Sequence, residues 1–104
     1  MVNLQSIRDL AVQRREIYMG KHNIDPSDDW EFVKLMEEVG EAAGAYLRLK
    51  GMARRKGKTD DEIRKDMADE LADVLGILAL VGDKLGIDLG EAFMNKWGAY
   101  DKPS

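Results

Sequence analysis

Apolar residues recur every three or four positions along most of the chain, which is the period of an amphipathic helix. The pattern predicts four helices, at about Leu4–Met19, Asp29–Lys50, Thr59–Leu85 and Asp88–Trp97, with Gly86 ending the third. No stretch shows the strict alternation of a half-buried strand. We therefore predict an all-α fold: a single domain over residues 1–104 that forms a helical bundle of about four helices.

Local signals place the boundaries between these helices. Gly20, Asn23 and Pro26 interrupt the pattern after the first helix, and Asp28 is the expected N-cap of the second. The stretch "TDDE", residues 59–62, has the Ser/Thr-x-x-Glu form of a capping box. The tail "GAYDKPS", residues 98–104, is expected to be irregular.

Two pairs of acids lie on the predicted second and third helices. Glu38 and Glu41 are three residues apart, as are Glu70 and Asp73, so each pair shares one helix face. On a helical wheel each pair flanks an apolar stripe. The stripes are Leu35, Val39, Ala42, Tyr46 and Leu49 in one helix and Met67, Leu71, Val74, Leu78, Val81 and Leu85 in the other. If these stripes pack together, the four carboxylates meet at one seam.

The two acidic stretches also resemble each other. "EEVGEAAGAYL" (37–47) aligns with "DELADVLGILA" (69–79), with Gly40 matching Ala72 and Gly44 matching Gly76. One interpretation is that the small residues let the two helices approach closely. The alternative is a chance similarity between two amphipathic helices.

The seam acids have few cations within one helical turn. Only Glu38 has one, Lys34, whereas an ordinary solvated face usually supplies a cation at such spacings. Like charges 4 Å apart repel by about 4 kcal/mol at an intermediate dielectric. A hard divalent cation, Mg²⁺ or Mn²⁺, would relieve that repulsion, and a plain charged face is the alternative. A di-iron site is disfavoured because no Glu is followed by His three residues later.

Composition narrows the possible functions. The 104 residues include no cysteine and one histidine, His22, which excludes disulfides, thiolate metal sites and multi-histidine sites within one chain. The net charge of −4 gives no support for nucleic-acid binding. No apolar run is long enough to span a bilayer, so we expect a soluble cytoplasmic protein without a membrane partner. The core of so small a chain favours association through an apolar face.

"EEVGE" followed by "DELAD" resembles the Glu-x-x-Glu … Glu-x-x-Asp signature of MazG-like nucleotide pyrophosphohydrolases, which belong to the all-α NTP pyrophosphatase superfamily. The resemblance covers roughly residues 28–102 and includes "FMNKWGAYDKP" near the end. It implies hydrolysis of a nucleoside triphosphate to the monophosphate and pyrophosphate, as house-cleaning of the nucleotide pool. It also implies dependence on Mg²⁺, which Mn²⁺ can replace, and a homodimer or homotetramer.

The resemblance assigns roles to individual residues. It implies that the metal ligands are Glu38, Glu41, Glu70 and Asp73, and that Glu37 assists the catalytic acids Glu38 and Glu41 or orients a water. The candidate substrate contacts are Trp30, Lys34, Asn95, Lys96 and Tyr100. Packing remains the alternative for Trp30, and a solvated lysine is the alternative for Lys96. The preferred base and sugar, the identity of the general base and the number of metal ions stay open.

Two further interpretations remain. The chain is alternatively a non-catalytic helical interaction protein whose acids hold a structural divalent cation. The basic loop "GMARRKGK", residues 51–58, is either a grip for a triphosphate or nucleic acid, or a solvated connection between helices.

Overall fold

The computed structural model describes residues 2–25 and 29–98, and within them it contains four helices and no strand. These are α1 (Leu4–His22), α2 (Trp30–Leu49), α3 (Asp60–Leu85) and α4 (Leu89–Trp97). The predicted all-α fold of about four helices is confirmed, and three of the four helices match their predicted bounds to within one residue at each end. In the described part of the chain, no helix combines the length and hydropathy that crossing a membrane requires.

Side-chain caps explain where three of the helices begin. At α3, the predicted capping box forms: the Glu62 backbone N–H donates to Thr59 Oγ1 over 3.2 Å, and the Thr59 backbone N–H donates to Glu62 Oε1 over 3.0 Å. At α4, the Glu91 backbone N–H donates to Asp88 Oδ1 over 3.0 Å. A second capping box, not predicted, starts α1 at Asn3. Each cap satisfies backbone donors that have no partner within the helix.

The predicted end of α1 was wrong. The helix continues through Gly20 to His22 and ends at Asn23, whose φ of 57° is left-handed. A glycine inside a helix costs only about 1 kcal/mol, so continued backbone hydrogen bonding carries the helix past it. Asn tolerates the left-handed conformation better than most residues, which makes Asn23 the true stop. The predicted cap Asp28 lies outside the described residues, and α2 has Asp29 at its N-cap position.

The chain forms two compact units, and the boundary falls inside α3. The first holds α1, α4 and α3 from Leu78 onwards. Its buried apolar side chains are Met19, Ala79 and Leu80. Arg15 donates to Asp83 Oδ2 over 3.0 Å within this unit. A Cβ built on Gly82 would lie 3.0 Å from Leu89 Cγ, so the turn into α4 packs closely on α3 at this glycine.

The second unit holds α2 and α3 as far as Ile77. Its most buried residues are Glu31, Glu38, Ala42, Ala45 and Ile63. This set corrects the predicted packing, because Val39 and Tyr46 of the expected α2 stripe, and Leu71 of the α3 stripe, are about half exposed. The buried face of α2 keeps Ala42 of the predicted stripe and also includes Glu38, which was expected only to flank it.

The glycines shared by the two acidic stretches do not mark a close helix approach. A Cβ at Gly40 or Gly76 would meet nothing within 4 Å, and at Gly44 it would meet only Arg48 of the same helix. The interpretation of close packing at these small residues was therefore wrong.

Candidate metal centre

Electrostatic interactions between α2 and the first part of α3 indicate that the two segments run antiparallel. Glu41 and Glu38 face Glu70, and the charges of both acids help to raise its pKa. Toward the end of α2, the charge of Arg48 acts on Asp66, while toward its start the charge of Lys34 acts on Asp73. Residue numbers therefore rise along one helix as they fall along the other. This register brings the two acidic stretches face to face.

Three carboxylates converge between these segments. One oxygen from each of Glu38, Glu41 and Glu70 lies within 4.8 Å of the other two. Glu38 is buried, Glu70 is half-buried and Glu41 is exposed. The Oε2 atoms of Glu38 and Glu70 are buried and have no hydrogen-bond donor among the described residues. Buried carboxylate oxygens are normally hydrogen-bonded, so two such atoms at one place are unusual in a folded protein.

The convergence shows in the pKa values of the α3 acids. Burial raises the pKa of Glu70 above its ordinary value, and the negative charges of Glu41 and Glu38 raise it further. Burial is also the main cause of the raised pKa of Asp73, followed by the charge of Glu38. Both carboxyls thus hold their protons more tightly than in water, as expected where negative charge lacks compensation.

Asp73 and Glu37 stand beside the three converging acids rather than among them. Asp73 lies one turn after Glu70 and is exposed, close enough for its pKa to respond to Glu38. Glu37 accepts a 2.8 Å hydrogen bond from Lys34 Nζ, which also lies 3.5 Å from Glu38 Oε1. The hydrogen bond to Glu37 is the main reason that the pKa of Lys34 is raised.

The predicted substrate contacts belong to both compact units of the chain. Trp30 is half-buried at the start of α2, two turns before Glu38. Asn95 and Lys96 are exposed near the end of α4, in the unit that does not contain the acids. Tyr100 lies outside the described residues. Within the unit that holds the converging acids, Lys34 lies 3.5 Å from Glu38 Oε1.

Two residues near the acids were not singled out from the sequence. Glu31 is only 2% exposed and lies seven residues before Glu38, on the same face of α2. Its place in the first helical turn suits a carboxylate, because the N-terminal end of a helix dipole is positive. Arg48 lies seven residues after Glu41, on the side of α2 that carries that acid. Residues seven positions apart lie on the same face of a helix, so this spacing could have pointed to both residues from the sequence.

The basic loop is largely tied to α3. Arg55 pairs with Asp60, and Lys58 Nζ lies 2.5 Å from Asp66 Oδ2. Between them, Lys56 and Gly57 both have positive φ, and the Lys58 N–H donates to the Arg55 carbonyl over 3.1 Å. This tight turn leaves Arg54 and Lys56 exposed, which favours a structured connection with a few solvated cations.

Comparison with known proteins identifies no relative: no protein-family model, curated protein or solved structure matches the chain.

Proposed function

We propose that this protein is a Mg²⁺-dependent hydrolase of nucleoside triphosphates. The observation that carries the proposal is the pair of buried oxygens, Glu38 Oε2 and Glu70 Oε2, which lack a donor and belong to three converging carboxylates. A cation bound there satisfies both oxygens and neutralises the repulsion. An all-oxygen donor set is the kind that Mg²⁺ and Mn²⁺ prefer.

The proposed ligands are Glu38, Glu41 and Glu70, with Asp73 as the fourth candidate at the edge of the group. When bound, Mg²⁺ would withdraw charge from phosphate oxygens and lower the pKa of a coordinated water. The chain's own contribution is to fix the carboxylates: Glu38 is held by burial and by Lys34, and α3 presents Glu70 directly opposite.

The proposed reaction gives a nucleoside monophosphate and pyrophosphate, through attack of water between the α and β phosphates. This assignment rests on the resemblance of the two acidic stretches to the MazG-like signature. We assign Glu37 the role of orienting the water, because its side chain is 54% exposed and lies beside the ligands without belonging to them. Its hydrogen bond to Lys34 would hold the carboxylate in a fixed direction.

A nucleotide panel tests the proposal. The common and several modified triphosphates are incubated with Mg²⁺ and, separately, with EDTA, and pyrophosphate is distinguished from single phosphate. Monophosphate and pyrophosphate, formed only with metal and at least 100-fold slower in Glu70→Gln, is the expected result. Glu91→Gln is the matched control, because this exposed acid lies in α4. Absence of turnover on every nucleotide, with metal still raising the stability, would favour the structural-cation alternative.

We also propose that the chain is a homo-oligomer that uses an exposed apolar stripe on α2. The stripe comprises Phe32, Met36, Val39 and Tyr46, which are 57%, 68%, 49% and 47% exposed. Apolar side chains clustered in this way on one helix face are typical of interaction surfaces. Light scattering on Met36→Lys, with the exposed Met52→Lys as control, is expected to show smaller particles for the first variant only. Wild-type protein that is monomeric at all concentrations would contradict this proposal.

A further inference from the structure

The Arg48 guanidinium folds back along α2 toward the acids. Its Nη1 atom would lie 3.7 Å from a Cβ built on Gly44, one turn earlier in the helix. Gly44 is three residues after Glu41, which corresponds to about 4.5 Å along the helix axis. The guanidinium is therefore much nearer to Glu41 than the seven-residue separation of the two backbones suggests.

The guanidinium of Arg48 offers several N–H donors, and none of them has a direct acceptor among the described residues. Within residues 2–25 and 29–98, its side chain makes no hydrogen bond and no ion pair within 4.0 Å, whereas its backbone carbonyl accepts from the Gly51 N–H over 3.1 Å. The charge of Arg48 acts on Asp66, whose pKa is lowered first by the hydrogen bond from Lys58 and only secondarily by Arg48. Because Lys58 already forms an ion pair with Asp66, the guanidinium of Arg48 stays available for another anion.

The register of α2 and α3 places this charge at one end of the converging acids. The charge of Arg48 acts on Asp66, which lies one turn before Glu70 on α3, so Arg48 lies toward that end of the acids. At the other end Lys34 is held by Glu37 at 2.8 Å and by Glu38 at 3.5 Å. Of the two flanking cations, Lys34 is paired with carboxylates of its own helix, whereas the side chain of Arg48 is not.

We propose that Arg48 binds the terminal phosphates of the substrate, the part that is released as pyrophosphate. This inference rests on the proposed function, and it adds a direction: the polyphosphate runs from the acids toward the end of α2. A planar guanidinium offers paired N–H donors that match two phosphate oxygens. It would favour substrates with phosphates beyond the metal-bound position, and thus a triphosphate over a monophosphate.

Binding of inorganic pyrophosphate tests this role separately from catalysis. Calorimetry in saturating Mg²⁺ compares wild type with Arg48→Gln, Arg48→Lys and the control Arg54→Gln, which removes one exposed cation from the neighbouring loop. We expect the Kd of pyrophosphate to rise about 10- to 100-fold in Arg48→Gln and by less in Arg48→Lys. Arg54→Gln is expected to change it less than about twofold.

Two further readouts separate binding from folding and from failure of the proposed function. Mg²⁺ affinity without pyrophosphate and the helical circular dichroism are expected to be unchanged in Arg48→Gln, and nucleoside monophosphate binding is expected to weaken less than pyrophosphate binding. If wild type binds Mg²⁺-pyrophosphate and Arg48→Gln binds it equally well, the role of Arg48 is refuted while the proposed function stands. If wild type binds no pyrophosphate with Mg²⁺, both fail.

Discussion

Replacing Glu38 by Gln should make the metal-free protein more stable, although Glu38 is one of its most buried residues. The substitution keeps the size and shape of the side chain and removes one of three converging negative charges. It also supplies an amide N–H₂, which can donate to the acids opposite. In most proteins, loss of a buried charge is destabilising because a partner charge is left unpaired. Here two neighbouring charges, Glu41 and Glu70, have the same sign as Glu38, and among the described residues only Lys34, at 3.5 Å, is known to oppose it.

The magnitude follows from the distances. The oxygens of Glu38 and Glu41 lie within 4.8 Å. Their repulsion at that separation is about 3.5 kcal/mol at an effective dielectric of 20 and about 1 kcal/mol in bulk water. Since Glu41 is exposed, the value lies toward the lower end. The substitution also gives up the 3.5 Å pair with Lys34, which is worth less than about 1 kcal/mol for a partly exposed lysine. We expect a net gain of about 1–2 kcal/mol.

Mg²⁺ should reverse the order of stability. A ligand at 100 times its Kd stabilises the folded state by about 2.7 kcal/mol, and Glu38→Gln should lose most of this gain. Urea unfolding in EDTA and in excess Mg²⁺ measures both effects, with Glu91→Gln as a control that should follow wild type. A Glu38→Gln variant that is less stable than wild type in EDTA, or equally stabilised by Mg²⁺, would refute the reasoning.

Substitutions at four other positions test the local physics. Burial and neighbouring charge raise the pKa of Glu70 in the folded state. The Glu70 carboxyl therefore destabilises the metal-free protein least below its ordinary pKa of 4.5, and increasingly as the pH rises through the raised value. The stability of Glu70→Gln relative to wild type in EDTA should therefore grow with pH above about 4.5, and a constant difference would contradict the raised pKa. Thr59→Ala should cost about 1 kcal/mol in urea unfolding, and Thr59→Ser should restore most of it; equal losses would exclude the cap. Gly76→Ala should gain about 0.5–1 kcal/mol because nothing lies within 4 Å of the new Cβ. Gly82→Ala should lose stability, by about 1 kcal/mol, because its Cβ meets Leu89 and the Ile87 carbonyl.

Helix positions were readable from the sequence because their signals are local. The Thr59 capping box, which forms as predicted, and the cap at Asp88, the predicted start of α4, each involve residues three apart. The end of α1 failed for a related reason: Gly20 and Asn23 are both plausible stops, and propensity alone does not rank them. The backbone ends the helix at Asn23, whose left-handed conformation provides the cap.

The orientation of α2 was not readable in the same way. The sequence gives the angle between residues around one helix, but the partner decides which angle is covered. Val39 and Tyr46 belonged to the predicted stripe, yet they stay about half exposed, while Ala42 of that stripe and the flanking Glu38 are buried. If the proposed oligomer buries Val39 and Tyr46, the apolar pattern indicated burial correctly. The burial is then against another chain rather than against α3. In that case the exposed apolar residues of α2 mark a contact between chains, and the buried Glu38 marks the acidic site.

The acids themselves show where sequence spacing stops being informative. The three-residue spacing fixes Glu38 beside Glu41 on one helix, but Glu70 joins them only because the antiparallel register sets it opposite. The same register leaves Asp73 one turn away, beside Lys34, and brings Arg48 to the other end of the site. Arg48 carries no motif, and its side chain reaches toward the acids by folding back over Gly44. A glycine that seemed to mark helix packing instead lies beneath the cation that we propose for the substrate's terminal phosphates.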